Sequence, residues 1–379
     1  MKDIHDATSA SFSTANALPQ RPVARLSGHD GPVQDVCWHG SSKTTKYCLT
    51  AGHDRSVRLW SPFRVDPDYI EKTKQNMTKK RPIPQAQHSA HQDLPPVLEI
   101  QKYTSGLAYE VNAIAVAGSS SSDHPDLLLA ASNKTMHVMD IVTAKSLRKL
   151  DGHHSGRINS VAAYQQEVYL SASFDTTVAL WDGRALNNRR PIQILRDAKD
   201  SITDVLVTVE EAVDDSCMNS CAYIRTASVD GCVRTYDLRK GILQSDSVGS
   251  SITTISLSKD RQCLVVSCLD GCIRLLDINS GELMNTYQGD HVAGNYGLQV
   301  DILADDATIV SGSEDGSVVL YDLVSAASKI LPGETRRPTC AIAAHPTQPA
   351  TLLTASYDNR TVVWSHEEDT RWQEQLSIE

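Results

Sequence analysis

The 379-residue sequence contains no run of 18 apolar residues, which argues against a membrane-spanning helix. Its first 20 residues, MKDIHDATSASFSTANALPQ, lack the apolar segment that a secretory signal needs. Basic residues are in the minority, 36 Lys and Arg against 46 Asp and Glu, for a net charge of −10. A protein that binds nucleic acid over its whole surface would be basic. The nine cysteines include no CxxC pair. An odd number without secretory context reads as reduced thiols of a cytosolic or nuclear protein. Cys268 and Cys272 are the pair closest to a metal-ligand spacing, but they flank the turn of a predicted hairpin and read as small strand residues, so no metal is expected. No Walker-type phosphate loop, HExxH or GxSxG occurs either. Most histidines fall in Gly-His turns, in the tail or in a polar insertion, leaving nothing preorganised for electrostatic catalysis. The expectation is a chain that is not an enzyme and needs no cofactor.

What the sequence does have is a repeat. Seven segments share one pattern: HDRSVRLWS (53–61), SNKTMHVMD (132–140), FDTTVALWD (174–182), VDGCVRTYD (229–237), LDGCIRLLD (269–277), EDGSVVLYD (314–322) and YDNRTVVWS (357–365). In each, an Asp or Asn stands six residues before a large side chain: Asp54 and Trp60, Asn133 and Met139, Asp175 and Trp181, Asp230 and Tyr236, Asp270 and Leu276, Asp315 and Tyr321, Asp358 and Trp364. The Asp with its following small or polar residues makes a tight turn, where its side chain can accept backbone amides. Period-two alternation after the turn, as in Val178 and Leu180, is that of a strand. Upstream lie a second strand (YCLTAG, VYLSAS, CLVVSC, TLLTAS) and a third (VQDVCW, INSVAAY, ITTISL, CAIAAH). Each unit is therefore a small antiparallel sheet that must stack on its neighbours to bury both faces.

This pattern resembles the WD-repeat family over roughly residues 21–365. Gly28-His29 and Gly152-His153 match the family's Gly-His dipeptide, and Gly289-Asp290-His291 is a slipped version. The resemblance implies one buried polar network per unit, complete only in unit 1 (His29, Asp54, Trp60) and unit 3 (His153, Asp175, Trp181). It also implies an all-β fold, a single seven-bladed WD-repeat β-propeller. Seven units of about 42 residues take up about 294 of the residues, with no room for a second domain. The strand RPVARLSG has no earlier partner and should close the ring beside residues 360–365. Residues 1–20 are expected to be a disordered tail and 366–379 a C-terminal tail. The insertion 65–97, rich in Pro, Gln, Lys and His, should be flexible, and 209–221 should be a loop extension. The basic run 72–81 reads as a solvated linker or as a nuclear-import or RNA-touching patch, with composition favouring the linker.

A finer resemblance, to the mitogen-activated protein kinase organizer group of WD-repeat scaffolds, rests on the stretches around SFDTTVALWDGRALNNRRPIQIL and SVDGCVRTYDLRKG, on the LLD ending (Leu275–Asp277) and on the SGEL turn (Ser280–Leu283). It implies docking of proteins, either kinase-cascade components in the cytoplasm or splicing factors in the spliceosome of the nucleus, by a monomer within larger complexes. The splicing role needs less lineage-specific machinery and is favoured of the two. A resemblance of another class lies in the endings Trp181-Asp182-Gly183-Arg184 and Tyr236-Asp237-Leu238-Arg239. These are similar to substrate receptors of cullin ubiquitin ligases, where Arg184 and Arg239 would contact the adaptor.

In the family's geometry the turn Asp lies on the top rim and the residue before it points outward. Those positions are His53, Ser132, Phe174, Val229, Leu269, Glu314 and Tyr357. With only three Phe in the chain, one at an exposed turn marks an interaction site. The top rim, centred near Phe174 and Tyr357, is the expected protein-docking surface.

Overall fold

The computed structural model describes residues 18–39, 46–78, 94–118, 126–164, 166–185, 190–210, 221–333 and 337–366. After a first strand, β1 (Arg21–Leu26), blade 1 comprises β2 (Val33–His39), β3 (Tyr47–Gly52), β4 (Val57–Val65), a helix α1 (Pro67–Thr78) and β5 (Val97–Tyr103). Blade 2 holds β6 (Val111–Ala117), β7 (Leu127–Ser132), β8 (Thr135–Asp140) and β9 (Ser146–Leu150). Blade 3 holds β10 (Ile158–Tyr164), β11 (Val168–Ser173), β12 (Val178–Asp182) and β13 (Gln193–Leu195). Blade 4 holds β14 (Ile202–Glu210), β15 (Cys221–Ser228), β16 (Cys232–Asp237) and β17 (Ile242–Ser247). Blade 5 holds β18 (Ile252–Leu257), β19 (Cys263–Cys268), β20 (Cys272–Asp277) and β21 (Leu283–Gln288). Blade 6 holds β22 (Val300–Ile302), β23 (Thr308–Gly312), β24 (Val318–Asp322) and β25 (Ser328–Leu331). Blade 7 joins β26 (Thr339–Ala344), β27 (Leu352–Ser356) and β28 (Thr361–Ser365) to β1, from Arg21 opposite Ser365 to Leu26 opposite Thr361. The seven inner strands touch in a closed ring, so the fold is a seven-bladed β-propeller.

Strand periodicity explains how the ring is filled. Successive side chains of a strand point to opposite faces, and every blade face meets a neighbour. In β12, Val178 and Leu180 enter the core between blades 3 and 4, while Ala179 and Trp181 enter the core between blades 2 and 3. Seven apolar cores result, one at each blade interface. The large residue of each repeat always plugs the interface with the preceding blade. Trp60 fills that between blades 7 and 1, Met139 that between 1 and 2, Trp181 the next, and so on to Trp364 between 6 and 7. An invariant six-residue spacing from turn to plug is what such a ring requires.

The polar networks sit just outside these plugs. In blade 1, Thr50 Oγ1 lies 2.7 Å from His29 Nε2 and accepts the Trp60 indole N–H at 2.9 Å, while His29 Nδ1 is 3.0 Å from Asp54 Oδ1. In blade 3 the histidine of the network is His154, not His153. Ser171 Oγ lies 2.8 Å from His154 Nε2 and accepts Trp181 Nε1 at 2.9 Å, and Asp175 Oδ2 is 3.1 Å from His154 Nδ1. The reason is register. His29 stands four residues before the first residue of β2, and in blade 3 that position counted back from Ile158 is His154. His153 is displaced onto the Trp181 ring edge, 6.3 Å between centroids. Burial raises the Asp175 carboxyl, but bonds from Thr177 and the neighbouring His154 outweigh it and hold the group at about 2. Blades 4 and 5 use a different device, with Arg234 paired to Asp230 and Arg274 to Asp270, each at 2.6 Å.

Three expectations are corrected at their edges. Within 65–97, expected to be flexible, α1 occupies 67–78, and 79–93 lie outside the described residues. Asp66 caps the helix, its Oδ1 accepting the Asp68 N–H at 3.0 Å, with Pro67 at the first helical position. Tyr69 and Ile70 pack with Trp38 and Phe63 on the core between blades 7 and 1. On the return, Pro95 and Pro96 carbonyls accept the Arg25 and Asp66 N–H groups at 3.0 and 2.9 Å. Of the basic run 72–81, residues 72–78 belong to the helix and 79–81 lie outside the described residues. Leu18, inside the expected N-terminal tail, is buried in the core between blades 6 and 7; residues 1–17 lie outside the described residues, as do 367–379. Finally, β14 and β15 extend into 209–221, pairing Glu210 with Cys221, and 211–220 lie outside the described residues.

A candidate docking face at the channel mouth

In a four-stranded meander, the turn between the second and third strands and the link to the next blade emerge on the same face. That face, the top, carries the turn Asp residues. In six of the seven units the rim residue before the turn Asp is set by one recurrent bond. The N–H groups of His53, Phe174, Val229, Leu269, Glu314 and Tyr357 donate to the carbonyls of Pro32, Arg157, Ser201, Ser251, Val292 and Pro338, at 2.8–3.1 Å. Each of these carbonyls lies just ahead of, or within the link leading to, an inner strand.

The side chains at these positions differ in exposure. Phe174 is 59% exposed. Val229 and Leu269 are half-buried. Tyr357 is half-buried too, packed on the core between blades 7 and 1, with its ring 5.2 Å from that of Tyr296. Ser132 is buried, its hydroxyl donating to the Tyr109 carbonyl at 2.9 Å. His53 faces Glu110 at 3.6 Å. Glu314 is turned onto the link between blades 5 and 6, where its carboxylate accepts the N–H groups of Asn295 and Tyr296 at 2.6 and 3.0 Å. Three apolar side chains of the same face were not singled out from the sequence. Tyr109 (59% exposed), Val292 (52%) and Tyr296 (40%) stand in the links between blades, and only the link lengths hinted at them.

Inside the rim is a depression of about 330 Å³, bordered by Phe174, Val229, Arg157 and Asp200. Every blade contributes a polar side chain at or beside the start of its inner strand: Gln34, Asn112, Asn159, Thr203, Thr253, Gln299 and Cys340. Several stitch one blade to the next. Asn159 donates to the Ile202 carbonyl at 2.7 Å and Thr253 to the Leu298 carbonyl at 3.1 Å; Cys340 donates to the Val33 carbonyl at 3.2 Å. Burial pushes the Cys340 thiol up to about 12, so it stays protonated. Deeper in the channel, carboxylates repeat the device. Asp35 accepts the Ile114 N–H at 2.8 Å, Asp204 the Ile255 N–H at 3.0 Å and Asp301 the Ala344 N–H at 2.8 Å. Gln299 spans three blades, donating to Asp35 at 3.1 Å and accepting from the Ile342 N–H at 2.9 Å. Burial lifts the Asp35 carboxyl to about 6, with the charge of Asp204 adding to the rise and the bonds from Ile114 and Gln299 opposing it.

The mouth is therefore a stiff polar ring with its donors and acceptors largely committed, surrounded by exposed aromatic side chains. That arrangement suits a protein surface pressed over it. Among the described residues there is no group of three or more His, Cys, Asp or Glu able to hold a metal ion, and no helix long and apolar enough to cross a membrane. Cys268 is buried and its thiol raised to about 11, while Cys272 Sγ lies 3.5 Å from Gln288 Oε1. Arg184 and Arg239 are both exposed on the opposite, bottom face, their backbone N–H groups bound by Asp182 and Asp237.

Comparison with known proteins agrees with this geometry. The family model described as WD domain, G-beta repeat matches residues 20–61, 144–182, 242–277 and 283–322. Those four segments are WD40 repeats. The chain is homologous to WD repeat domain-containing protein 83. The homolog of Dictyostelium discoideum is 28% identical over 317 residues, 79% of this chain and 84% of that protein. The proteins of Rattus norvegicus and Xenopus tropicalis are 36% and 40% identical over 165 and 171 residues, 44% and 45% of this chain. Those matches span about half of each relative, 48% and 50%. In fold, the chain resembles the crystal structure of the WD40 β-propeller domain of Doa1, with a TM-score of 0.63 and 20% identity over 95% of this chain and 99% of that one.

Proposed function

We propose that this protein is a non-catalytic scaffold that docks other proteins into multiprotein complexes through its top face. The observation that carries this reading is Phe174, 59% exposed at the edge of the channel mouth. Apolar side chains gathered at an exposed rim mark an interaction site, and aromatics anchor such sites. The homology to WD repeat domain-containing protein 83 and the segments that resemble the kinase-organizer scaffolds support a finer reading. In it, the protein is a pre-mRNA splicing component, a kinase-cascade organizer, or both, acting in nucleus and cytoplasm as a monomer within larger assemblies. Direct nucleic-acid contact, if made, runs through residues 72–81. The test is affinity purification of the full chain after nuclease treatment. Splicing factors should co-purify with the wild type and be lost with Phe174→Ser plus Tyr296→Ser. Tyr296 is preferred to Tyr357 because Tyr357 also packs on the core. Retention of the same partners by the double variant would refute the top-face reading.

The exposure of both Arg184 and Arg239 on the bottom face supports a second reading, a substrate receptor of a cullin-type ubiquitin ligase. Its signature is pull-down of a cullin adaptor that Arg184→Ala plus Arg239→Ala abolishes.

A further inference from the structure

The outer strands of the seven blades are not alike. Apart from β1, whose Arg25 N–H donates outward to the Pro95 carbonyl, each leaves one edge unpaired among the described residues, and unpaired edges are normally protected by shortness, bulges or charge. The outer strands β1, β5, β9 and β21 carry a shift in register, and β13 and β25 have three and four residues. Only β17 is both six residues long and regular, pairing Cys232 with Ser247 through to Asp237 with Ile242 without a shift. Val248 N–H donates inward to the Gly231 carbonyl at 2.8 Å. With a period of two, the N–H and C=O groups of Leu243, Ser245 and Ser247 point away from the blade.

The surroundings of this edge are apolar at one end and basic beside it. Ile242 is 57% and Leu243 42% exposed. A cleft of about 230 Å³ runs along the strand between blades 4 and 5, with Ile242 and Ile278 in its walls and Lys240 at its mouth. The neighbouring Asp237 sets one negative charge against two cations, Lys240 and Arg239, and is ion-paired with Lys240. Its Oδ1 is taken by the N–H groups of Arg239 and Lys240, both at 2.9 Å, and the Lys240 ammonium stands 3.9 Å from Oδ2. Arg239 is exposed beside it.

We propose that the outer edge of blade 4 is a strand-addition site for an extended segment of a partner protein, apolar at alternate residues and carrying a carboxylate that reaches Lys240 and Arg239. Backbone pairing along Leu243–Ser247 supplies the affinity, and the apolar and acidic side chains supply the selectivity. The site is separate from the top face, so either can fail without the other.

The probe is the acetylated and amidated peptide Glu-Thr-Val-Thr-Val-Thr-Glu, acidic at both ends so that either strand direction is served. It is added to the full chain while amide exchange is followed by NMR. At about 1 mM peptide, the exchange of Leu243, Ser245 and Ser247 should slow at least about fivefold, with the edge of β13 unchanged. Lys240→Glu should weaken binding at least about fivefold, and Ser245→Pro, which deletes an outward N–H, should abolish it. Should Ser245→Pro not fold, Leu243→Lys decides, with the same loss expected. No protection at this peptide concentration, or equal protection in the variants, would overturn the proposal. So would self-association of the free chain that Leu243→Lys abolishes, since the occupant would then be a second copy.

Discussion

The two faces of the ring are made differently. On the top, the turns are short and each turn carboxylate is tied into its own blade, as Asp54 is to His29 and Asp175 to His154. On the bottom, the connection between β4 and β5 runs from 66 to 96 and those between β2 and β3 and between β14 and β15 are lengthened. The bottom extension is held by apolar contact of Tyr69 and Ile70 with the core. One face is thus stiffened by polar bonds around a central depression with aromatic groups left over, while the other is elaborated by added chain. Surplus aromatic surface on a rigid frame suits binding, because little ordering accompanies association.

Altering the two faces separately sharpens this contrast. The largest effect on binding should come from Phe174→Ser plus Tyr296→Ser, which should weaken top-face partners by about 30-fold or more, the scale of an aromatic hot spot of ~2 kcal/mol. Thermal melting should stay within a few degrees of wild type, since both side chains are exposed. Deleting 66–96 on the bottom face should instead cost stability, about 2–4 kcal/mol by denaturant titration, for the lost packing of Tyr69, Ile70 and Leu94. An unchanged midpoint would show that those contacts contribute nothing. Next, Ser171→Ala should cost about 1–3 kcal/mol, because it strips the partner from both Trp181 and His154.

A smaller effect tests the channel. Asp35 holds its proton up to about pH 6 in the folded chain, against 3.8 for an ordinary Asp. Between those values the folded state binds more protons than the unfolded one, so this group's contribution to stability falls as pH rises. His154, lowered by burial despite Asp175, acts the other way, losing stability as pH falls through its unfolded value. The difference between wild type and Asp35→Asn, measured across pH 4–6, isolates the first effect; a flat difference would contradict it. Smallest of all, His153→Ala should change stability by less than about 1 kcal/mol, whereas His154→Ala should reach about 1–3 kcal/mol.

The fold was legible because the features that announce it are local. A turn Asp and a plug six residues later lie within one hairpin, so Asp175 and Trp181 declare their unit without reference to any other. The residues that act between blades were not legible. Asp35 and Gln299 are 264 residues apart, and a polar side chain on an inner strand looks in the sequence like an exposed one. Arg234 and Arg274 had a signal in the shared Asp-Gly-Cys-Val/Ile-Arg run, but an Arg on a strand reads as solvated until its Asp is seen beside it. His154 could have been found by counting back from β10 instead of forward from Gly152. The helix was hidden because two residues, Tyr69 and Ile70, anchor an otherwise polar segment. On the rim, the sequence located the turns but not how each side chain leaves them, so Ser132 and Glu314 are turned inward while Tyr109 and Tyr296 carry the exposed surface.

Cross-linking of the full chain with its co-purified partners, read by mass spectrometry at lysines, tests top-face docking most directly. Lys134 and Lys199 are exposed on the top; Lys145 and Lys259 are exposed on the bottom. Docking over the channel mouth predicts partner cross-links at Lys134 and Lys199 that disappear in the Phe174→Ser plus Tyr296→Ser variant. Cross-links confined to Lys145 and Lys259, with none on the top face, would contradict it.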